Sequence, residues 1–371
     1  MTTHTPKAPV HAVVVSHNSE RSLQWCLESL VQCDPPLQHI WVVDNASTDG
    51  TVPCVRKVAT SVNKAADPLN NLVTRPPITL LRQSENLGFA RANNIGMRHA
   101  LEQGASHIFL LNHDATTHPQ TPGLLATAQQ NHSRFGVVSP IHYAGKQNTD
   151  ESATPVVQCK PGDASTPASH SYDSKFWHNV IWHNQNQSLR DALSGPPQPD
   201  QICDNPGTPV EVPYVNAAAW MVSRTCLHAI GGFFPGFFMY GEDDEFLQRA
   251  RHYSFQVGIC PEAAIWHDRR QEADPSVKKT ANTLQDKHYA LNMTRVILLD
   301  ENRSPGQKKM QLARLYGQLI RRGMRQGDLR QWARVAQSCA LAWRLRRTEA
   351  RTVASNDLWR PHNQPGTTLH G

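Results

Sequence analysis

Short apolar runs punctuate the first 140 positions of the chain, and each ends on a polar or acidic residue. His11-Ala-Val-Val-Val-Ser16 lacks polar alternation, which predicts a strand buried on both faces. Ile40-Trp-Val-Val-Asp44, Ile78 to Leu81 and His107-Ile-Phe-Leu-Leu-Asn112 repeat that signature. Between these runs the period changes. Ser19 to Val31 reads as a helix, as does Phe89 to Leu101, where Ala90, Asn94, Met97 and Leu101 recur three to four residues apart. Ser47/Thr48-Asp49 has the composition of a helix start. Strands alternating with helices predict an α/β fold whose central, mostly parallel sheet is covered on both faces. In such sheets ligands bind beyond the carboxyl ends of the strands. Asp44 and Asp114 stand at two of those ends, and Ser16-His17-Asn18 follows a third.

The pattern lapses between 145 and 210, where Pro, Asn, Gln, Ser and His replace aliphatic residues. That composition predicts a long insertion with a short element at Lys175 to His183. Order returns near Val210, with a helix around Ser223 to Ile230, another from the acidic run to His252, and a last strand over Phe255 to Cys260. From Pro305 to Arg351, Leu312, Leu315, Leu319, Trp332, Val335, Leu341 and Leu345 fall at helical spacing among arginines. The expected organisation is a domain over 9–270 that carries the insertion, a basic helical region over 271–351 and a disordered tail over 352–371.

Composition narrows the class. A chain of 371 residues can bury a full core. No window reaches the ~18 apolar residues of a membrane span; Val212 to Val222 is the best and carries Asn216. The N-terminal MTTHTPKAPV lacks an apolar signal region. Eight cysteines without a C-x-x-C pair predict reduced thiols in a cytoplasmic protein, not a disulfide framework or a zinc ribbon. The net charge of +6 conceals an asymmetry: residues 303–351 hold 13 Lys/Arg against Asp328 and Glu349, or +11, leaving −5 for the remainder.

Two acidic signals carry the candidate chemistry. Tyr240-Gly241-Glu242-Asp243-Asp244-Glu245 places four carboxylates in a row, and like charges so close raise one another's pKa. They offer a general base, or simply an acidic helix start that suits the helix dipole. The aromatic approach Phe233-Phe234-Pro-Gly-Phe237-Phe238-Met239-Tyr240 reads as an acceptor-lining wall or as core. Asn112-His113-Asp114 ends an apolar strand on a carboxylate, which suits Mg²⁺ or Mn²⁺ or equally a plain turn. Asp44 to Thr51 and Glu85 to Asn94 each open a helix after a strand. Asp44 there could accept from a nucleoside and Arg91 could meet a diphosphate, or Ser47 and Thr48 simply cap the helix and Arg91 is solvated.

Taken in order, these pieces resemble glycosyltransferase family 2 of the GT-A type, close to its rhamnosyltransferase-like branch. The resemblance runs through Val13–Asn18, Val42–Thr51, Asn86–Asn94, Leu110–Asp114, Val215–Ala219, Gly231-Gly232-Phe233, Phe237–Asp243, and Pro261-Glu262-Ala263 before His267. It implies a Rossmann-like nucleotide-sugar-binding fold with a basic C-terminal helical region. Ser16, Asn18, Asp44, Asn45, Asn86, Gly88, Arg91 and Asn112 would line the nucleotide-sugar pocket. Asp114 and His267 would hold Mg²⁺ or Mn²⁺, and Asp243, supported by Glu242, would be the general base. Two departures stand out: His113 where many relatives have proline, and Phe234 where an acid is usual.

The resulting expectation is an inverting enzyme that moves a sugar, rhamnose from dTDP-rhamnose first among them, from a dTDP- or UDP-sugar to a glycan or lipid-linked acceptor of the cell surface. A non-catalytic scaffold that binds nucleotide sugar is the alternative. The basic stretch 305–351 is expected to rest on an anionic membrane surface at the inner face of the membrane rather than on nucleic acid.

Overall fold

The computed structural model describes residues 9–64, 75–144, 208–268, 289–326 and 330–345. The insertion over 145–207 and the tail over 352–371 lie outside the described residues, as does 271–288 of the basic region. In chain order the elements are β1 (Val10–Ser16), α1 (Leu23–Val31), β2 (His39–Asp44), α2 (Thr51–Lys64), β3 (Ile78–Arg82), α3 (Gly88–Glu102), β4 (His107–Leu111), β5 (Ala115–Thr117), α4 (Thr121–Asn131), β6 (Phe135–Ala144), β7 (Val210–Glu211), β8 (Ala219–Ser223), α5 (Arg224–Ile230), α6 (Glu242–His252) and β9 (Gln256–His267). A helix over 289–299, here α7, precedes α8 (Pro305–Gln326) and α9 (Arg330–Leu345).

The strands form one mixed sheet in the order β3-β2-β1-β4-β8-β6-β9-β5, with β7 added on β9. The four apolar runs seen in sequence make its parallel half: β1 pairs with β2 and β4, and β2 with β3, all in parallel. β8 then runs antiparallel to β4, as it does to β6. Alternate residues of β1 explain why the strand is apolar throughout. Val13 joins the core under α3 with Met97 and Ala100, while Ala12 and Val14 face Leu23, Leu27 and Leu30 of α1.

One strand departs from its expected bounds. The forecast ended the last strand at Cys260, before Pro261, but β9 continues to His267. The register with β6 jumps from Cys260↔Pro140 to Ala264↔Ile141, so Pro261-Glu262-Ala263 form an irregularity that spares the proline a ladder bond. Beyond it, β9 turns to β5, where Ala115 pairs with His267. The bulge therefore delivers the histidine.

The C-terminal helices join this body through α7. Ala290, Leu315 and Leu319 form a small cluster with Val335, and Met293 packs against both that cluster and the main core. Ser304 and Gln307 close a reciprocal capping box at the start of α8 (2.8 and 3.3 Å), with Pro305 at its first position. Among the described residues no helix is long and apolar enough to cross a membrane, and the six described cysteines form no disulfide.

Candidate active site

The carboxyl ends of β1, β2 and β4 meet at one edge, because Ser16 pairs with Asp44 in register and β4 lies beside β1. Ser16 Oγ is buried without a hydrogen-bond partner. Asp44 is fully buried; its Oδ1 accepts from Ser47 N–H at 3.4 Å, its Oδ2 accepts no hydrogen bond, and Arg82 Nε stands 4.0 Å away. An ionised group so placed is costly unless something donates to it. Asn18 is in the left-handed region (φ 50) and ties the two loops: its amide donates to Ser47 Oγ (2.9 Å) and its Oδ1 accepts from Thr48 N–H (2.9 Å).

Asn45 works inward. Its Nδ2 donates to Asn86 Oδ1 (2.7 Å) and to Gly88 O (3.3 Å), and its Oδ1 accepts from Leu87 N–H (2.8 Å). Its amide is thus consumed in shaping the loop that opens α3. Gly88 has φ 78, and a Cβ there would lie 2.2 Å from Phe238 O. Only glycine fits this approach. Phe89 N–H donates to Phe238 O (2.8 Å), Arg91 Nε donates to Pro235 O (2.9 Å), and Asn94 exchanges two 2.7 Å bonds with the Phe233 backbone. The aromatic stretch 233–238 is therefore fastened to α3. Phe233, Phe234 and Phe237 are buried core, whereas Tyr240 is exposed.

Asp114 and His267 come together, as neighbouring strands require: Asp114 Oδ1 lies 3.2 Å from His267 Nε2. The pair is not aligned as a hydrogen bond, and Asp114 Oδ1 is buried without one. Burial alone would raise the Asp114 carboxyl, but the charge of His267 beside it holds it well below the usual carboxylate range. Two ligands each ~2.1 Å from one cation at right angles lie about 3.0 Å apart, so the spacing fits a shared hard divalent ion. Among the described residues no group of three or more His, Cys, Asp or Glu could hold a metal. Two protein ligands nevertheless suit Mg²⁺ or Mn²⁺, whose remaining positions go to water and substrate phosphates. His113 turns away; its Nδ1 meets Ser22 Oγ of α1 at 3.0 Å.

The acidic run forms the first turn of α6, where carboxylates complement the helix dipole, and Arg249, Arg251 and His252 occupy its last turn. Glu245 pairs with Arg249 in a buried ion pair (2.7 Å), and the same guanidinium donates to Gly232 O (2.9 Å) and to Ile230 O. Glu245 thus serves the fold, and the other three carboxylates carry the unusual electrostatics. Burial raises the pKa of Glu242, Asp243 and Asp244, and mutual repulsion adds to it for Glu242 and Asp244. Only Asp243 is strongly countered. Tyr214 O–H donates to its Oδ2 at 2.5 Å and Asp244 N–H to its Oδ1 at 3.0 Å, both stabilising the carboxylate form. Glu242 Oε2 is buried with no partner. Both acids are thus raised, Glu242 strongly and Asp243 less so because its hydrogen bonds offset part of the burial.

A short backbone segment joins these groups. Asn112 N–H donates to Ala218 O at 2.9 Å, and the adjacent Ala217 amide lies against the Asp243 carboxylate. Asn112, two residues before Asp114, and Asp243 therefore contact adjacent residues, Ala218 and Ala217, at the entrance to β8. Tyr214 went unnoticed in the sequence, although it stands next to the Val215-Asn216-Ala217 piece.

A family model described as glycosyl transferase family 2 matches residues 12–205. No curated protein gives a significant match. Among solved structures, residues 1–349 of S. aureus TarS share the fold, with a TM-score of 0.51 at 13% identity over 94% of this chain and 88% of that one. A mannosyltransferase from Pyrobaculum calidifontis, solved with GDP-Man and Mn²⁺, aligns with a TM-score of 0.49 at 17% identity over 96% and 86% of the two chains. GalNAc-T7, solved with UDP, GalNAc and Mn²⁺, gives 0.45 at 13% identity over 71% of this chain; the alignment spans only 44% of that chain's length.

Proposed function

From the premise that this chain belongs to glycosyl transferase family 2, we propose an inverting, metal-assisted sugar transfer from a nucleotide-sugar donor, with dTDP-rhamnose the first donor to test and a glycan or lipid-linked acceptor. The observation that carries this reading is the pairing of Asp114 with His267 at one end of a short backbone bridge and Asp243 with Tyr214 at the other.

In this reading Asp44 receives hydrogen bonds from the nucleoside, the role suited to its Oδ2, which accepts no hydrogen bond within the protein, with Ser16 and Asn18 beside it. The loop over Asn86 and Gly88, held by Asn45, shapes the pocket wall, and Arg91 braces it through Pro235. Asp114 and His267 would hold a divalent cation, which when bound neutralises charge developing on the leaving diphosphate. Asp243 takes the proton from the acceptor hydroxyl as its oxygen bonds to the anomeric carbon and the bond to the diphosphate breaks on the opposite face. Burial and the neighbouring acids raise the pKa of the adjacent Glu242, in keeping with a supporting role.

A screen of dTDP-rhamnose, UDP-sugars and GDP-sugars with and without Mn²⁺, reading the nucleoside diphosphate released, tests the proposal. Asp243→Asn should lose transfer while still binding nucleotide, and full turnover in that variant would remove Asp243 as the base. The +11 charge of residues 303–351, with Met310 and Met324 exposed on α8, supports a peripheral seat on anionic lipid. Sedimentation with phosphatidylserine vesicles should fail once residues 305–371 are removed; undiminished binding would contradict the seat.

A further inference from the structure

We infer that Asn292, on α7, is a positioning residue for the acid pair, so that the C-terminal helices complete the catalytic end of the fold. This rests on the reading of Asp243 as the base. A single buried side-chain amide donates to two successive backbone carbonyls, Met239 O at 2.8 Å and Tyr240 O at 2.7 Å. An asparagine amide has two N–H donors, and both are spent here. The carbonyls belong to the two residues before Gly241, where the chain turns into α6.

That turn has an unusual shape. Tyr240 (φ 70) and Gly241 (φ 94) are consecutive left-handed residues, a conformation that a bulky aromatic residue rarely adopts. Surrounding contacts must hold it. A Cβ on Gly241 would lie 3.2 Å from Phe237 and 3.3 Å from both Met293 and Val296, so α7 also forms a wall of the turn. Asp243 follows Gly241 by two residues in the first turn of α6. If the turn relaxed, the Asp243 carboxylate two residues on would be displaced, and a misplacement of about 1 Å can lower turnover on the order of a hundredfold. Asn292 bonds to neither the Asp44 loop nor the Gly88 loop; the latter is held one residue earlier, by Phe238 O, and the separate Phe238 contact should keep donor binding when Asn292 is lost.

The test compares Asn292→Ala and Asn292→Asp with the parent chain. Turnover is read as dTDP release from dTDP-rhamnose, or as UDP release from a UDP-sugar if the screen favours one, and donor-site binding is read by calorimetry with Mn²⁺ and dTDP or UDP. Both variants should lower kcat at least tenfold while donor KM and nucleotide binding stay within twofold. The Asp variant adds a signature. Ionised, it presents no donor; protonated, it presents one. Its deficit relative to the parent should shrink as pH falls. A folded variant that keeps kcat within twofold, or loses nucleotide binding in proportion, overturns the inference. So does failure of both variants to give a cooperative melt, which would make Asn292 a residue of stability alone. Asp243→Asn run in parallel separates the two readings: if it retains turnover the base assignment fails, whereas if it is inactive and the Asn292 variants are normal, only the positioning role fails.

Discussion

Replacing Tyr214 with phenylalanine removes one hydroxyl and leaves the buried ring in place. The lost interaction is the 2.5 Å bond from Tyr214 O–H to Asp243 Oδ2. Burial and the neighbouring acids keep the phenol itself protonated, so it is a permanent donor. A hydrogen bond to a charged group contributes about 1.5–3 kcal/mol. It favours the carboxylate, so its loss must raise the pKa of Asp243, and at 1.36 kcal/mol per unit the rise is roughly 1–2 units. Burial already holds that carboxyl above its ordinary value. The proposed base would then become protonated at a higher pH. In a profile of kcat/KM from pH 5 to 9, the acidic limb of Tyr214→Phe should move up by about 1–2 units with the alkaline plateau kept. An unmoved limb would refute the argument, as would an equal loss at every pH, which would mark Tyr214 as packing only.

Gly88→Ala should cost about 2–4 kcal/mol in denaturant unfolding, because φ 78 is unfavourable for alanine and its Cβ meets Phe238 O at 2.2 Å; an unchanged midpoint would mean the loop yields freely. His11 gives an acid-sensitive term. Burial, then the charges of His39 and Arg224, lower its pKa from 6.5 to about 4, while its Nδ1 accepts from Trp41 Nε1–H at 3.2 Å. The fold favours neutral His11, so this contribution is complete above pH 6.5 and is lost as pH falls toward 4, by at most about 3 kcal/mol. Thermal melts of His11→Asn, which keeps an acceptor and cannot titrate, should lose less between pH 7 and pH 5 than those of the parent; parallel losses would assign the acid sensitivity elsewhere.

The parallel half of the sheet was legible because β1, β2 and β4 are buried on both faces, and burial leaves an uninterrupted apolar run such as His11–Ser16. The mixed half, where β6 pairs with β9 in parallel and the other pairs are antiparallel, was not. β5 has three residues and β7 two, too few for a period, while β6 and the end of β9 contain prolines at register shifts that read as breaks. The acidic first turn of α6 was visible for a local reason, the dipole complementarity of carboxylates at a helix start. What Asn45 and Arg91 do was not visible, because their partners at Asn86, Gly88 and Pro235 are fixed by tertiary approach. Tyr214 and Asn292 act across 29 and 52–53 residues of sequence, a separation at which no local pattern remains.

The bridge at Ala217-Ala218 limits how the enzyme's range of acceptors can change. In the proposed reading, the backbone at Ala217-Ala218 touches both the strand end that leads to Asp114 and the carboxylate of Asp243, so moving one away from the other would disturb the β4–β8 ladder. Variation would then come instead from the segment just before the acids, Met239 and Tyr240, of which Tyr240 is exposed. Libraries aimed at altered acceptors are best concentrated there, with 214–219 left untouched.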